Sequence, residues 1–290
     1  MKILFIKSGI HPKNLIFILN CKKIEFTFVN HVNEIDNLNI SDYCVVYSPC
    51  EPIDVSKYPN TKFIFGPHFS VFPIKTHMDM IRNNNNVVYI QPSDWVVNLW
   101  RNNPNCNNIN IKPFAFGVET EKFCEKLPIE NRSQVFVYFK RRKPEELNAI
   151  LNLLRSKNIE FKIFDYVSRY SEEEYITYLQ NSKYGIWLDA HESQGFALEE
   201  ALSCNVPLLV WNVSSMKQEY GTTYPEIPAT TIPYWDHRCG EYFYNANDLE
   251  ETFNNFLSKI DTYKPREYIL ENLSFDVCEK NLLDTIANIK

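Results

Sequence analysis

Two glutamates, Glu192 and Glu200, stand eight positions apart in the stretch HESQGFALEEALSCNVPLLVW, residues 191–211. Between them Ser193, Gln194 and Gly195 have the residue types of a turn that opens a helix. The apolar run VPLLVW that follows reads as a buried strand. Loop, helix and strand thus succeed one another, with two carboxylates reaching the same end of the helix. Ionised carboxylates repel phosphate, so their natural partners are the hydroxyls of a sugar or a ribose. The amides of Gly195, Phe196 and Ala197, at the start of the helix, suit an anion held between the two. Glu200 shares a helix face with Ala197, Ala201 and Cys204, all small enough to admit a ligand. Spacing alone leaves a plainer alternative open, with Glu192 capping the helix and Glu200 merely exposed.

A second group of residues supplies the opposite charge. In VFVYFKRRKPEEL, Lys140, Arg141, Arg142 and Lys143 follow a strand and precede a helix with Pro144 in its first turn. Four cations around a positive helix N-terminus are unfavourable until an anion arrives. The alternative is a solvated basic loop. No D-x-D ends a strand and no His/Cys/Asp spacing suggests ligands, so neither a metal nor a cofactor is expected.

The elements that must hold these residues can be read along the chain. KILFIK, EFTFVN, YCVVYS, KFIFG, VVYIQ and INIKPF read as six short strands, interspersed with the helix-like runs PKNLIFILN, KTHMDMIR and SDWVVNLWRNN. Ser93 is expected to cap the last of these helices, with Asp94 in its first turn. The alternation then restarts: QVFVYFK (strand), PEELNAILNLLRSK (helix), EFKIFDY (strand), SEEEYITYLQNS (helix), YGIWLDA (strand), and then the unit containing the two glutamates. A closing helix, SFDVCEKNLLDTIANI, places Phe275, Cys278, Leu282 and Ile286 on one stripe. The fold class is therefore α/β, with two Rossmann-like doubly wound domains facing a central cleft. Residues 1–120 form the first domain and residues 121–272 the second. Residues 273–290 form a terminal helix that can cross back to the first domain.

Composition narrows the function classes. The 290 residues are 44% hydrophobic and 23% charged, which is a globular and not a disordered composition. A net charge of -6 argues against nucleic acid as a partner. The opening MKILFIKSGIHPKN reads as a strand and not as a signal peptide. No apolar stretch approaches the roughly 18 residues of a transmembrane helix. The 8 cysteines contain no C-x-x-C pair, in keeping with reduced thiols and a cytoplasmic location.

The order of residues in ESQGFALEEALSCNVPLLV resembles the E-x(7)-E signature of retaining GT-B glycosyltransferases of the family 4 type, with Glu192 and Glu200 on the two glutamates. QPSDWVVNLW looks like the helix near the end of that family's N-terminal domain, and IKPFAFGVETEKF looks like its linker. The resemblance implies that Glu192 contacts the transferred sugar or the phosphates and that Glu200 binds the ribose. It implies that Lys140 and the neighbouring arginines hold the diphosphate, without saying which of the four cations does so. His68, ending the strand of KFIFGPHFSVFP, stands where related enzymes often keep a histidine near the reacting sugar. The first-strand loop departs from the family, with the single glycine Gly9 in place of a glycine-rich stretch. IPYWDHRCGE, residues 232–241, reads either as a loop closing over a substrate or as a folded aromatic corner.

The implied activity is sugar transfer from a UDP- or GDP-sugar to a hydroxyl of a glycan or other acceptor, with retention and without a metal. The alternatives are an idle GT-B scaffold that binds a glycan or a protein partner, and a nucleotide-sugar epimerase.

Overall fold

The computed structural model describes residues 1–67 and 72–290. The chain divides into two compact units, Met1–Gly117 with Phe275–Lys290, and Val118–Ser274.

In the first unit the elements run β1 (Lys2–Ile6), α1 (Pro12–Asn20), β2 (Glu25–Val29), β3 (Val45–Ser48), β4 (Lys62–Phe65), α2 (Lys75–Ile81), β5 (Val87–Gln91), α3 (Asp94–Arg101) and β6 (Ile111–Pro113). The strands form one parallel sheet in the order β2-β1-β3-β4-β5-β6. The central strands are apolar up to their carboxyl ends because both faces are covered by other elements; all four residues of β3 and all five of β5 are buried, including the terminal Ser48 and Gln91. α3 sends Val96, Val97 and Trp100 inward, and the Trp100 ring lies 4.7 Å from that of Tyr89 on β5. The expected Ser93 side-chain cap is not formed. Its hydroxyl is buried with no hydrogen-bond partner among the described residues, and its main-chain carbonyl accepts the Val97 amide at 3.0 Å instead.

The second unit contains β7 (Gln134–Lys140), α4 (Pro144–Ser156), β8 (Lys162–Asp165), α5 (Glu172–Leu179), β9 (Ser182–Asp189), α6 (Phe196–Ser203), β10 (Leu208–Trp211), β11 (Gly240–Phe243), α7 (Leu249–Ser258) and α8 (Pro265–Asn272). Its sheet is also parallel, in the order β11-β10-β9-β7-β8. From β7 the chain winds outward to β8, then returns to the other side of β7 with β9. The direction of winding therefore reverses between β7 and β9, which is where ligands bind in open α/β sheets.

Three elements go beyond those read from the sequence. α7 buries Leu249, Phe253 and Phe256, α8 buries Pro265, Tyr268 and Ile269, and β11 begins inside the stretch 232–241. β11 is a short edge strand with an exposed Tyr242, so it has no continuous apolar run to announce it. The residues before it fold as a corner: Arg238 bonds Asp236 at 2.8 Å and Glu271 of α8 at 2.7 Å.

The last helix, α9 (Phe275–Ala287), belongs to the first unit. Cys278, Leu282 and Ile286 are buried along one stripe, and Phe275 meets the ring of Phe17 on α1 edge-on at 5.7 Å. Glu279 is also buried there and accepts the Lys23 amide at 2.5 Å.

Candidate functional site

At the reversal point of the second sheet, Lys140 ends β7 and Asp189 ends β9, paired directly in register. The Lys140 ammonium is mostly buried and forms an ion pair with the Glu192 carboxylate; it lies 3.7 Å from Asp189 Oδ2. The Tyr166 ring, from the loop after β8, lies 4.9 Å from the same ammonium. Burial works to lower the proton affinity of Lys140, but Asp189 and Glu192 outweigh it and raise it. Asp189 is moved the other way from an ordinary carboxylate: burial pushes its carboxyl well up, Lys140 opposes, and Glu192 adds to the rise. Glu192 stays low despite its own burial, because Lys140 and a hydrogen bond with Asp189 favour its ionised form.

The backbone that presents these groups is laced from both sides. The Glu192 amide donates to Thr230 O at 3.0 Å, and the Thr231 hydroxyl donates to Asp189 O and Ala190 O at 3.2 and 2.9 Å. Asn212, just past β10, accepts from the Thr230 hydroxyl at 3.0 Å and the Thr231 amide at 2.8 Å.

The remaining cations have divided tasks. Arg141 sits at φ +49 and pairs with Glu219 at 2.8 Å, with its side chain 52% exposed. Glu219 also faces His191 Nδ1 at 3.3 Å, and burial lowers the proton affinity of that imidazole. Arg142 is fully buried and serves the fold. It donates to Asp189 O at 3.0 Å and Trp211 O at 2.8 Å, and it meets both Glu146 oxygens at 2.9 and 2.8 Å. That geometry leaves Arg142 no open donor edge for a ligand. Lys143 is exposed at the N-cap of α4. The expected unfavourable crowding of cations is therefore relieved within the protein, by Glu192, Glu219 and Glu146.

α6 begins after Gly195, whose φ of +96 is left-handed and favours glycine. Ser193 is exposed, Gln194 and Gly195 are buried, and Phe196 and Ala197 are half-buried. The first-turn amides have no intrahelical partners, as at any helix start. Glu192 does not cap this helix, because Gly195 holds the N-cap position. Glu200 is not exposed either. Only 6% of it reaches solvent, whereas its neighbour Glu199 is wholly buried. Gln194 Nε2 donates to Glu199 Oε2 at 3.1 Å, and Glu199 Oε1 has no hydrogen-bond partner among the described residues. Burial pushes the Glu199 carboxyl well above the usual range. At its other end α6 is held by two guanidinium groups: half-buried Arg266 donates to Ser203 O at 2.6 Å and buried Arg132 to Cys204 O at 3.0 Å. Cations there also complement the helix dipole.

Sequence reading passed over Asp189, His191, Glu219 and the pair Thr230–Thr231. Asp189 carried one signal, an acid ending an otherwise apolar strand. Glu219 carried none. In the first unit, Gly9 has φ +72, and a Cβ there would stand 2.7 Å from Cys50 Cβ, so the loops after β1 and β3 press together at that sheet's own reversal point. His68 lies outside the described residues. Among the described residues no group of three or more His, Cys, Asp or Glu is placed to hold a metal ion. No helix among them is long and apolar enough to cross a membrane.

No protein-family model matches the chain, and no curated protein matches it in sequence. Solved structures do match in fold. The N-terminal domain of trehalose-6-phosphate phosphatase from Candida albicans superposes with a TM-score of 0.60 at 10% identity, over 99% of this chain and 97% of that one. The Glycosylation Associate Protein (Gap123) complex from Streptococcus agalactiae gives 0.52 at 10% identity, over 85% of this chain and 54% of that one. An alpha-glucosyltransferase in complex with UDP-glucose and DNA containing an abasic site gives 0.50 at 12% identity, over 99% of both chains. At these identities the likeness is one of fold: two parallel-sheet α/β units, as in glycosyltransferases of the GT-B class.

Proposed function

We propose that this protein is a glycosyltransferase that moves a sugar from a nucleotide-diphosphate sugar to a hydroxyl acceptor, with retention and without a metal. One observation carries the reading: Lys140, Arg141, Glu192 and the start of α6 come together at the reversal point of the second sheet. The fold likeness to an alpha-glucosyltransferase solved with UDP-glucose supports it. In this reading the diphosphate lies against Lys140, Arg141 and the amides of Gly195, Phe196 and Ala197. Glu192 receives a sugar hydroxyl and Glu200 the ribose. Ser193 and Gln194 shape the turn, and Lys143 adds charge at the rim. As the glycosidic bond breaks, charge grows on the leaving diphosphate. Fixed cations and amides stabilise it there without reorganisation. The diphosphate then takes the acceptor's proton on the face from which it departs.

The idle-scaffold reading has one observation in its favour, since every arginine of the basic loop already has a carboxylate partner. A thermal-shift screen with UDP, GDP, ADP and their sugar conjugates in EDTA decides between the two. Stabilisation by one nucleotide that grows with its concentration supports the transferase. No shift with any of them sinks it and leaves the scaffold.

A further inference from the structure

We propose that Asp189 is a positioning residue: as the un-ionised member of a hydrogen-bonded carboxyl pair, it holds Glu192 against Lys140 and keeps this triad electrically neutral until a donor's diphosphate arrives. The inference rests on the glycosyl-transfer reading and assigns a task to a residue which that reading leaves unused.

The geometry leads there in three steps. Asp189 and Glu192 share a side-chain hydrogen bond, and two carboxyl groups can do so only with a proton between them. The Lys140 ammonium touches Glu192 but stands 3.7 Å from Asp189, so Glu192 is the better stabilised anion. Asp189 is also the more deeply buried, with 2% of its side chain exposed against 18% for Glu192, which places the proton on Asp189. Its Oδ1 is already committed, accepting the Ala190 amide at 2.7 Å.

The surroundings agree from every side. Lys140 and Tyr138 face Asp189 from β7, Tyr170 and Tyr166 border the cluster from the loop after β8, and His191 and Glu192 follow it in the chain. Arg142 spends its charge on the Asp189 carbonyl, on Trp211 O and on Glu146, and Arg141 on Glu219. The Lys140 ammonium therefore faces two carboxyl groups. Were both ionised, the buried triad would carry a net negative charge and repel a diphosphate. With Asp189 protonated, an incoming diphosphate competes with a single carboxylate for Lys140.

The test joins a probe of the proton with a probe of binding. In full-length protein labelled with carboxyl-13C aspartate, the resonance lost in Asp189→Asn identifies Asp189. At pH 7 it is expected at the shift of a protonated carboxyl, and a shift in the ionised range overturns the inference. Affinity for UDP-glucose and for inorganic pyrophosphate is then measured calorimetrically. Asn can donate to Glu192 as the acid does, so Asp189→Asn is expected within about threefold of the parent, whereas Asp189→Ala loses about thirtyfold, the scale of a buried hydrogen bond removed. An Asn variant as weak as the Ala variant, in a protein with unchanged thermal midpoint, overturns the inference alone. If the parent binds neither probe, the glycosyl-transfer reading falls, and with it any service of Asp189 to an anion.

Discussion

Lys140 and Arg142 are two residues apart and do opposite things, which mutation can separate. Lys140 pairs with the Glu192 carboxylate, for which a diphosphate would compete under the proposed donor site, so Lys140→Met is expected to lower kcat/KM about 100-fold or more, as loss of one preorganised charge does. The measurement is steady-state kinetics with the nucleotide-sugar identified by thermal shift. Arg142 bonds two carbonyls and a glutamate inside the protein. Arg142→Met strands Glu146 and those carbonyls and is expected to cost about 3–5 kcal/mol of stability, read by urea unfolding. Glu200→Gln keeps the volume of a nearly buried side chain and removes its charge. It should weaken nucleotide binding at least about tenfold, equivalent to roughly 1.4 kcal/mol, with little change in midpoint. Unchanged affinity in this variant would remove Glu200 from the ribose. Glu199 makes a pH prediction with a definite sign. Its folded proton affinity is raised above the ordinary glutamate value of 4.5, so the folded state keeps a proton that the unfolded chain releases. Its contribution is complete below about 4.5 and declines as pH rises toward the folded value, by up to about 1.4 kcal/mol per pH unit. Relative to the parent, Glu199→Gln should therefore gain stability between pH 5 and pH 8, as measured by urea unfolding at both.

α6 is the element on which the site turns. It is only 8 residues long, too short to persist alone, so tertiary ties must hold it. Arg266 and Arg132 close its carboxyl end, and the Tyr175 hydroxyl donates to Ala197 O at 2.7 Å near its start. Gly195 sets its entry direction. A Cβ there would find its nearest neighbour, Glu192 Cβ, at 3.6 Å, so space is not the obstacle and the left-handed φ is. Gly195→Ala is accordingly expected to cost about 1–2 kcal/mol and to weaken nucleotide binding through the displaced amides. Denaturant midpoints and the thermal shift read the two effects separately.

Across the whole molecule, the α/β class and the strands and helices leading to each glutamate were legible in the sequence. Buried parallel strands are continuous apolar runs, and their alternation with helices leaves few architectures. KILFIK, VVYIQ and QVFVYFK announced themselves in this way, as did the stripe of Cys278, Leu282 and Ile286. β11, α7 and α8 did not, because they are short and lie in polar, aromatic-mixed sequence. What local sequence could not supply was the pairing of charge. Lys140 lies on a different segment from Asp189 and Glu192, and their meeting depends on β9 returning beside β7 in one register. Glu219 reaches Arg141 across 78 positions, and Arg132 reaches Cys204 across 72. Residue types and periodicity thus determined the elements and the chemistry available. Only the tertiary structure decided which cation is a staple, which is paired with a partly exposed carboxylate, and which acids are most deeply buried, because charge is governed by distance and solvent exposure and neither is a property of adjacent residues.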